Sequence, residues 1–170
     1  LILASPLLFL SAIIIKLIDG GEIFFFQERR GYRGKKIKIF KLRSMDLNPL
    51  TGKIEYTKSG KLFRKLRLNE VPQLINVLLG EMSIVGPRPD VEETYQFCTN
   101  NIPYYHYRTN VLPGITGHAQ IHYKYLEHLE IETFTERLAY DLYYVKRNSP
   151  YLYILTLLKT IESVLFARGK

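Results

Sequence analysis

LRLNEVPQLINVLLGEMSIVGPRP, residues 66–89, is the stretch around which the rest of the chain arranges itself. Asn69 and Glu70 precede Pro72, a residue tolerated in the first turn of a helix and not further in, so the spacing predicts a helix start here. Leu74, Ile75, Val77 and Leu78 then fall on one helical face, and Gly80 follows where a C-terminal cap belongs. Asn69 and Glu70 are thereby placed at a helix N-terminus, where backbone N–H groups and the helix dipole favour an anion or a carboxylate. The remaining residues, MSIVGPRP, read as a short strand that breaks into Gly86, Pro87, Arg88 and Pro89. Two prolines fix the backbone on both sides of the Arg88 guanidinium, and an arginine mounted so rigidly suits a phosphate better than bulk water.

The chain has 170 residues, 46% of them hydrophobic, which is enough for one core and one domain but not comfortably for two. Its net charge of +8 is unevenly placed: the excess lies between Arg29 and Arg67, and the part after Pro89 is close to balanced. Such a block calls for a polyanionic partner, whether an anionic membrane surface, a nucleotide diphosphate or nucleic acid. Nucleic acid is disfavoured, because no reader motif is present and the apolar ends would have no role. A single cysteine, Cys98, excludes an internal disulfide and reads as a small core or surface residue.

The opening LILASPLLFLSAIIIKLIDGG is apolar up to Lys16, short of the roughly 20 residues a spanning helix needs, with Pro6 interrupting it near its start. A plain transmembrane helix is therefore disfavoured, and a buried core helix ending at Asp19-Gly20-Gly21 is one reading. With neither methionine nor a basic leader ahead of the run, the expectation is a chain truncated at its N-terminus, and not a signal peptide. Ile23–Phe26 and Ile37–Leu42 read as strands joined by a basic turn at Gly31–Gly34. Alternation puts Ile37, Ile39 and Lys41 on one face of this hairpin and Lys38 and Phe40 on the other. Arg29, Arg30, Arg33, Lys35, Lys36 and Lys38 are expected to form a surface facing anionic lipid. DLNPLTGKIEYTKS, residues 46–59, reads as a surface loop able to move over a ligand, and GKLFRKLR as a short helical approach to Asn69.

After the central stretch come many tyrosines, punctuated by Pro103 and Pro113. PGITG, residues 113–117, is expected to be a tight turn in which Gly114 and Gly117 take conformations closed to other residues. His118 and His122 have the spacing of two metal ligands on a helix, with His106 and His128 within reach in sequence; the lack of an HExxH acid and of further cysteines argues against zinc. A helix is predicted from Thr133, broken at Ser149-Pro150. Tyr151–Arg168 then reads as an amphipathic helix lying in a membrane interface, packed on the core, or both, and Lys159 rules out a clean span.

NEVPQLINVLLGEMSIVGPRP resembles the core signature of the bacterial sugar transferases, the monotopic phosphoglycosyl transferases. The likeness extends through SPLLFL, QERRGYRGKKIKIFKLRSM, PGITGHAQ and YDLYYVKR, so it covers nearly the whole chain. It implies an α+β fold: one compact monotopic membrane domain over residues 1–170 with a re-entrant helix within residues 1–18, a small β-hairpin and amphipathic interfacial helices. Ser5 and Pro6 match the break of that re-entrant helix, a bend tolerable in lipid where a serine hydroxyl helps satisfy freed backbone groups.

The activity implied is transfer of a phospho-sugar from a nucleotide diphosphate (UDP) sugar to polyprenol phosphate with release of uridine monophosphate, the first membrane step in making a bacterial polysaccharide or glycoconjugate. Mg²⁺ is the implied cofactor, with Glu70 and Asn69 its implied ligands. Lys41 and Arg43 match the family's Lys-Phe-Arg-Ser-Met pattern, Leu42 standing for phenylalanine, and are expected near the donor phosphates. Arg64 occupies a phosphate-binding position, Arg88 the Pro-Arg-Pro position, and Asp141 the acidic position of YDLYYV; Asp141 either faces the active site or binds a basic residue across the core. The departure is Asn69, where the family carries its nucleophilic aspartate. An amide is a poorer nucleophile and a weaker Mg²⁺ ligand, so Glu70 either holds the metal or substitutes as the nucleophile, and a second reading stands beside the transferase: a catalytically impaired relative that binds nucleotide sugar or membrane as a regulator or scaffold. The resemblance places the chain on the cytoplasmic face of the inner membrane, with lipids as partners, and its apolar surfaces would serve a homodimer as well as a bilayer.

Overall fold

The computed structural model describes residues 4–48, 51–123 and 130–165. Among these residues helices alternate with three separate two-stranded sheets. Helix α1 (Ser5–Ile14) runs into a single π-helical turn, Ile15–Asp19, and stops at Gly20, whose φ of +68° suits a residue without a side chain. Ser5 and Pro6 form the first turn of α1, where a proline costs no hydrogen bond, and what would lie across the expected break falls outside the described residues. Among the described residues no helix is long and apolar enough to cross a membrane. Ile15 packs inward on Leu42 and Phe63, whereas Leu7, Phe9, Leu10, Leu17 and Ile18 point outward.

β1 (Phe24–Arg30) and β2 (Lys36–Leu42) pair antiparallel from Phe24↔Leu42 to Arg30↔Lys36, the hairpin the sequence predicts. Ile37 and Ile39 face inward against Met82, with the half-buried Lys41 on the same face. The stretch expected as a loop is instead a second hairpin, β3 (Met45–Leu47) with β4 (Ile54–Tyr56). Its alternation of apolar residues is short and interleaved with Asp46 and Glu55, so polar composition hid a period-2 pattern. Pro49, one of the loop signals, lies outside the described residues. Helix α2 (Lys58–Lys65) is capped by Thr57, whose hydroxyl accepts from Gly60 N–H at 3.0 Å, and Phe63 anchors it to α1.

The central stretch departs from expectation at its start. A 3₁₀ turn, Leu68–Gln73, entered through Arg67 at φ +54°, precedes helix α3 (Leu74–Leu78), so Asn69 and Glu70 lie inside a tighter turn and do not cap an α-helix. With three residues per turn in place of 3.6 the inward face rotates: Asn76 is fully buried while Leu78 is 70% exposed. Gly80 ends the helix at φ +73°, as its position predicts.

β5 (Ser83–Val85) pairs parallel with β6 (Gly114–Thr116), so PGITG is mostly strand and not turn. Gly117 has an extended φ of −163°; glycine is needed here because two backbones cross in contact. A Cβ at Gly114 would meet Gly86 N, one at Gly117 would meet Gly86 O, and one at Gly86 would meet Leu112 O. Helix α4 (Glu92–Asn101), a 3₁₀ turn (Tyr105–Asn110), α5 (His118–His122), α6 (Ile131–Lys146) and α7 (Pro150–Leu165) complete the described chain. Cys98 is buried with Ile102, Tyr105 and Leu138. α7 buries Leu152 and Thr156 and joins β6 through Thr160 Oγ1 and Thr116 Oγ1, 2.8 Å apart, while Tyr151, Ile154, Leu158 and Ile161 stay exposed. It is both packed on the core and amphipathic.

Candidate functional site

Three successive carbonyls, Pro87, Arg88 and Pro89, are each held by a different part of the chain. Gly114 N–H of β6 donates to Pro87 O at 2.9 Å, Arg108 Nη2 from the 3₁₀ turn to Arg88 O at 2.9 Å, and Arg29 Nη1 of β1 to Pro89 O at 2.7 Å. Arg30 extends the grip, its N–H donating to Asp90 O at 2.8 Å and its guanidinium to both Glu92 oxygens at 2.7 and 2.6 Å. The prolines restrict φ on both sides of Arg88, and these bonds fix where the whole segment sits. Arg29 and Arg30, expected to face lipid, are therefore spent on the loop; Lys35, Lys36 and Lys38 remain at the surface. Lys36 lies 3.6 Å from Glu28, and Lys38 sits over the Phe26 ring at 4.5 Å.

So mounted, Arg88 directs both terminal nitrogens to Glu70 Oε1, each at 3.2 Å. Burial pushes the Glu70 carboxyl up, but Arg88, Lys41 and Arg67 outweigh it and hold Glu70 below the usual carboxylate range. Lys41 comes from the inward face of β2. Burial, then the charges of Arg29 and Arg88, bring its ammonium down to about 7, with Glu70 pulling the other way and Arg64 adding to the depression. Asn69, 7% exposed, adjoins Glu70 in the same turn. One carboxylate thus lies among several cations, an excess that favours a polyanion.

The structure brings Lys41, Glu70 and Arg88 together, with Asn69 beside them. Arg64 is nearby in charge but turned to the second hairpin, its guanidinium over the Tyr56 ring at 4.9 Å and Nη1 on Met45 Sδ at 3.7 Å. Arg43 is engaged elsewhere: it donates to Gly20 O and to Asp46 Oδ2, tying β3 to the end of α1. Asp141 takes the second of the roles open to it, receiving Arg108 Nε at 2.9 Å across the core, where Arg108 also contacts Asp90. Burial raises the Asp141 carboxyl and the neighbouring Arg108 opposes the rise. Arg108 and Asp90 went unsingled in the sequence, since a lone arginine among tyrosines looks like any solvated cation. Among the described residues no three His, Cys, Asp or Glu side chains are placed to share a metal; the His118 and His122 rings lie tilted to one another with centroids 4.5 Å apart and stack on Tyr143 and Tyr140 respectively, and His128 lies outside the described residues.

The family model for "Bacterial sugar transferase" matches residues 1–167. The chain is 37% identical, over 98% of its length, to a UDP-N-acetylgalactosamine-undecaprenyl-phosphate N-acetylgalactosaminephosphotransferase of Aeromonas hydrophila, and spans 41% of that protein. It is 40% identical, over 89% of its length, to a UDP-glucose:undecaprenyl-phosphate glucose-1-phosphate transferase of Klebsiella pneumoniae, and spans 34% of it. Against the exopolysaccharide production protein ExoY of Rhizobium meliloti it is 33% identical over 99% of its own length and 81% of the relative's.

Proposed function

The chain belongs to the bacterial sugar transferase family, and on that footing we propose that it moves a phospho-sugar from a UDP-sugar to polyprenol phosphate at the cytoplasmic edge of the bacterial inner membrane, releasing uridine monophosphate. The observation that carries the reading is the Arg88–Glu70 pair with Lys41 beside it, on a loop whose carbonyls are gripped from three sides. Arg88 and cationic Lys41 hold the diphosphate, and Arg64 and Arg67 add to the field that draws it in. In the transfer an oxygen nucleophile forms a bond to the sugar-proximal phosphorus as the bond from that phosphorus to the bridging oxygen breaks, the electron pair leaving with uridine monophosphate. The acceptor's phosphate oxygen then bonds to that phosphorus as its bond to the nucleophile's oxygen breaks, the electron pair returning to the nucleophile and the phospho-sugar leaving as part of a polyprenol diphosphate.

Magnesium fits this site as a companion of the donor: it commonly takes one or two carboxylates and completes its shell from substrate phosphates and water. Glu70 would supply the carboxylate and Asn69 a neutral amide oxygen. When bound, the ion spreads the charge that develops on the diphosphate. What Asn69 lacks is the anionic oxygen needed for a phosphoryl ester, so position 69 sets how fast the first step runs. The activities for which the relatives are named support a transferase over a scaffold.

The test is uridine monophosphate release from a panel of UDP-sugars with polyprenol phosphate and magnesium, for the unaltered chain and Asn69→Asp. The substituted chain is expected to be faster by on the order of 10²-fold or more. Absence of release from both folded forms with every donor would overturn the proposal.

A further inference from the structure

The second hairpin carries a feature that the transferase reading does not use. Its register sets Met45 opposite Tyr56 and Leu47 opposite Ile54, so all four large apolar side chains share one face, and Asp46 and Glu55 share the other. Arg64 lies against Met45 and Tyr56, yet all four stay open to solvent: Met45 is 36%, Leu47 61%, Ile54 67% and Tyr56 45% exposed. A two-stranded hairpin gains little stability by itself, and an apolar face left in water adds none.

We propose that this face seats in the headgroup–acyl boundary of an anionic bilayer, as a lipid contact separate from α1. The inference rests on the membrane-edge reading given above. Charge supports that occupant: from Arg43 to Arg64 the chain carries Arg43, Lys53, Lys58, Lys61 and Arg64 against only Asp46 and Glu55. Tyr56, part apolar and part polar, suits the headgroup level. Position supports it too, because the hairpin springs from the joint where α1 ends. Arg43 bridges Gly20 O and Asp46, Asp19 accepts from Ser59 N–H at 3.2 Å and from its hydroxyl, and Thr57 N–H donates to Ser44 O at 3.2 Å. Leu17 and Ile18, outward on the π-helical turn that continues α1, lie just before that joint. Two apolar surfaces anchored at one point, with basic residues around them, fit one lipid surface.

The chain contains no tryptophan, so a single introduced one reports alone. Leu47→Trp, placed in the full chain and mixed with vesicles of phosphatidylglycerol and phosphatidylcholine, is expected to shift its emission to the blue and be quenched by brominated lipid. Glu55→Trp, on the opposite face, is expected to respond far less. Leu47→Glu with Ile54→Glu, at two exposed positions outside the core, is expected to weaken vesicle partition about tenfold or more with an unchanged circular dichroism spectrum. Phe9→Trp on α1 reports the membrane reading itself. If Phe9→Trp responds and Leu47→Trp behaves like Glu55→Trp, the hairpin proposal is lost and membrane association stands; if both stay silent, both are lost. A Leu47→Trp shift produced by UDP without vesicles would show closure over the site and would also overturn the lipid assignment.

Discussion

The amide of Asn76 does the work of a neighbouring strand for β2. Its Oδ1 accepts Phe40 N–H at 3.2 Å, and its Nδ2 donates to Lys38 O at 2.8 Å and Glu81 Oε2 at 2.7 Å. Asn76→Ala strands these buried groups and opens a small hole; a loss of about 2–4 kcal/mol is expected, measured as the shift in denaturant midpoint. Helical periodicity pointed to Leu74, Ile75, Val77 and Leu78 because it assumed 3.6 residues per turn from the start, and a preceding 3₁₀ turn leaves no reliable mark in sequence. Lys41 gives a pH dependence with a definite sign. Its ammonium loses its proton as pH rises through about 7, so UDP binding measured by calorimetry without magnesium should weaken from pH 6 to pH 8.5. Lys41→Met should flatten that profile at the weaker level. Stability moves oppositely: the unfolded lysine binds its proton up to its ordinary value of 10.5, so this group's unfavourable contribution is relieved as pH rises from about 7 to that value.

Among elements, the Pro87–Pro89 segment shows how rigidity is assembled. The two prolines made a fixed Arg88 legible from sequence, but they restrict only local dihedrals; the clamps on the three carbonyls come from β6, from the Tyr105–Asn110 turn and from β1. Arg108 is the deepest of these, its Nη1 on Asp90, its Nε and Nη2 on Asp141, and the Tyr105 hydroxyl donating to Asp90 at 2.9 Å. Asp141→Asn removes one anion from a buried cation and is expected to cost about 3–5 kcal/mol at the upper end, with weaker UDP binding in the fraction that stays folded. Gly117→Ala drives a methyl into Gly86 O at the β5–β6 crossing, so a lowered melting temperature is expected, with soluble yield as a second readout. PGITG advertised its glycines plainly, yet their cause was misread: they are required by contact between two segments about 30 residues apart in sequence, which local turn rules do not describe.

Among the described residues, apolar side chains that face outward include those on α1, on Phe24–Phe26 of β1, on the second hairpin, on the end of α3 and along α7. Raising salt from 0.1 to 0.5 M should weaken binding to anionic vesicles several-fold without abolishing it, because screening reaches the lysines and leaves apolar burial intact; co-sedimentation measures both parts. Among the described residues the larger buried apolar side chains gather in four clusters, since no sheet there exceeds two strands and most helices are short. By itself the sequence determined the first hairpin, the helices around Pro150, the Arg88 mount and the family, because each is written in local periodicity, proline and glycine placement, or motif order. Only the tertiary structure decided that Arg29 serves the loop and not the lipid, that Arg43 turns to Gly20, that Asn76 faces inward and that Arg108 holds the Arg88 carbonyl. Those outcomes depend on which polar group meets which across distant parts of the chain. A guanidinium or an amide has the same local signature whether its partner is water or a buried carbonyl.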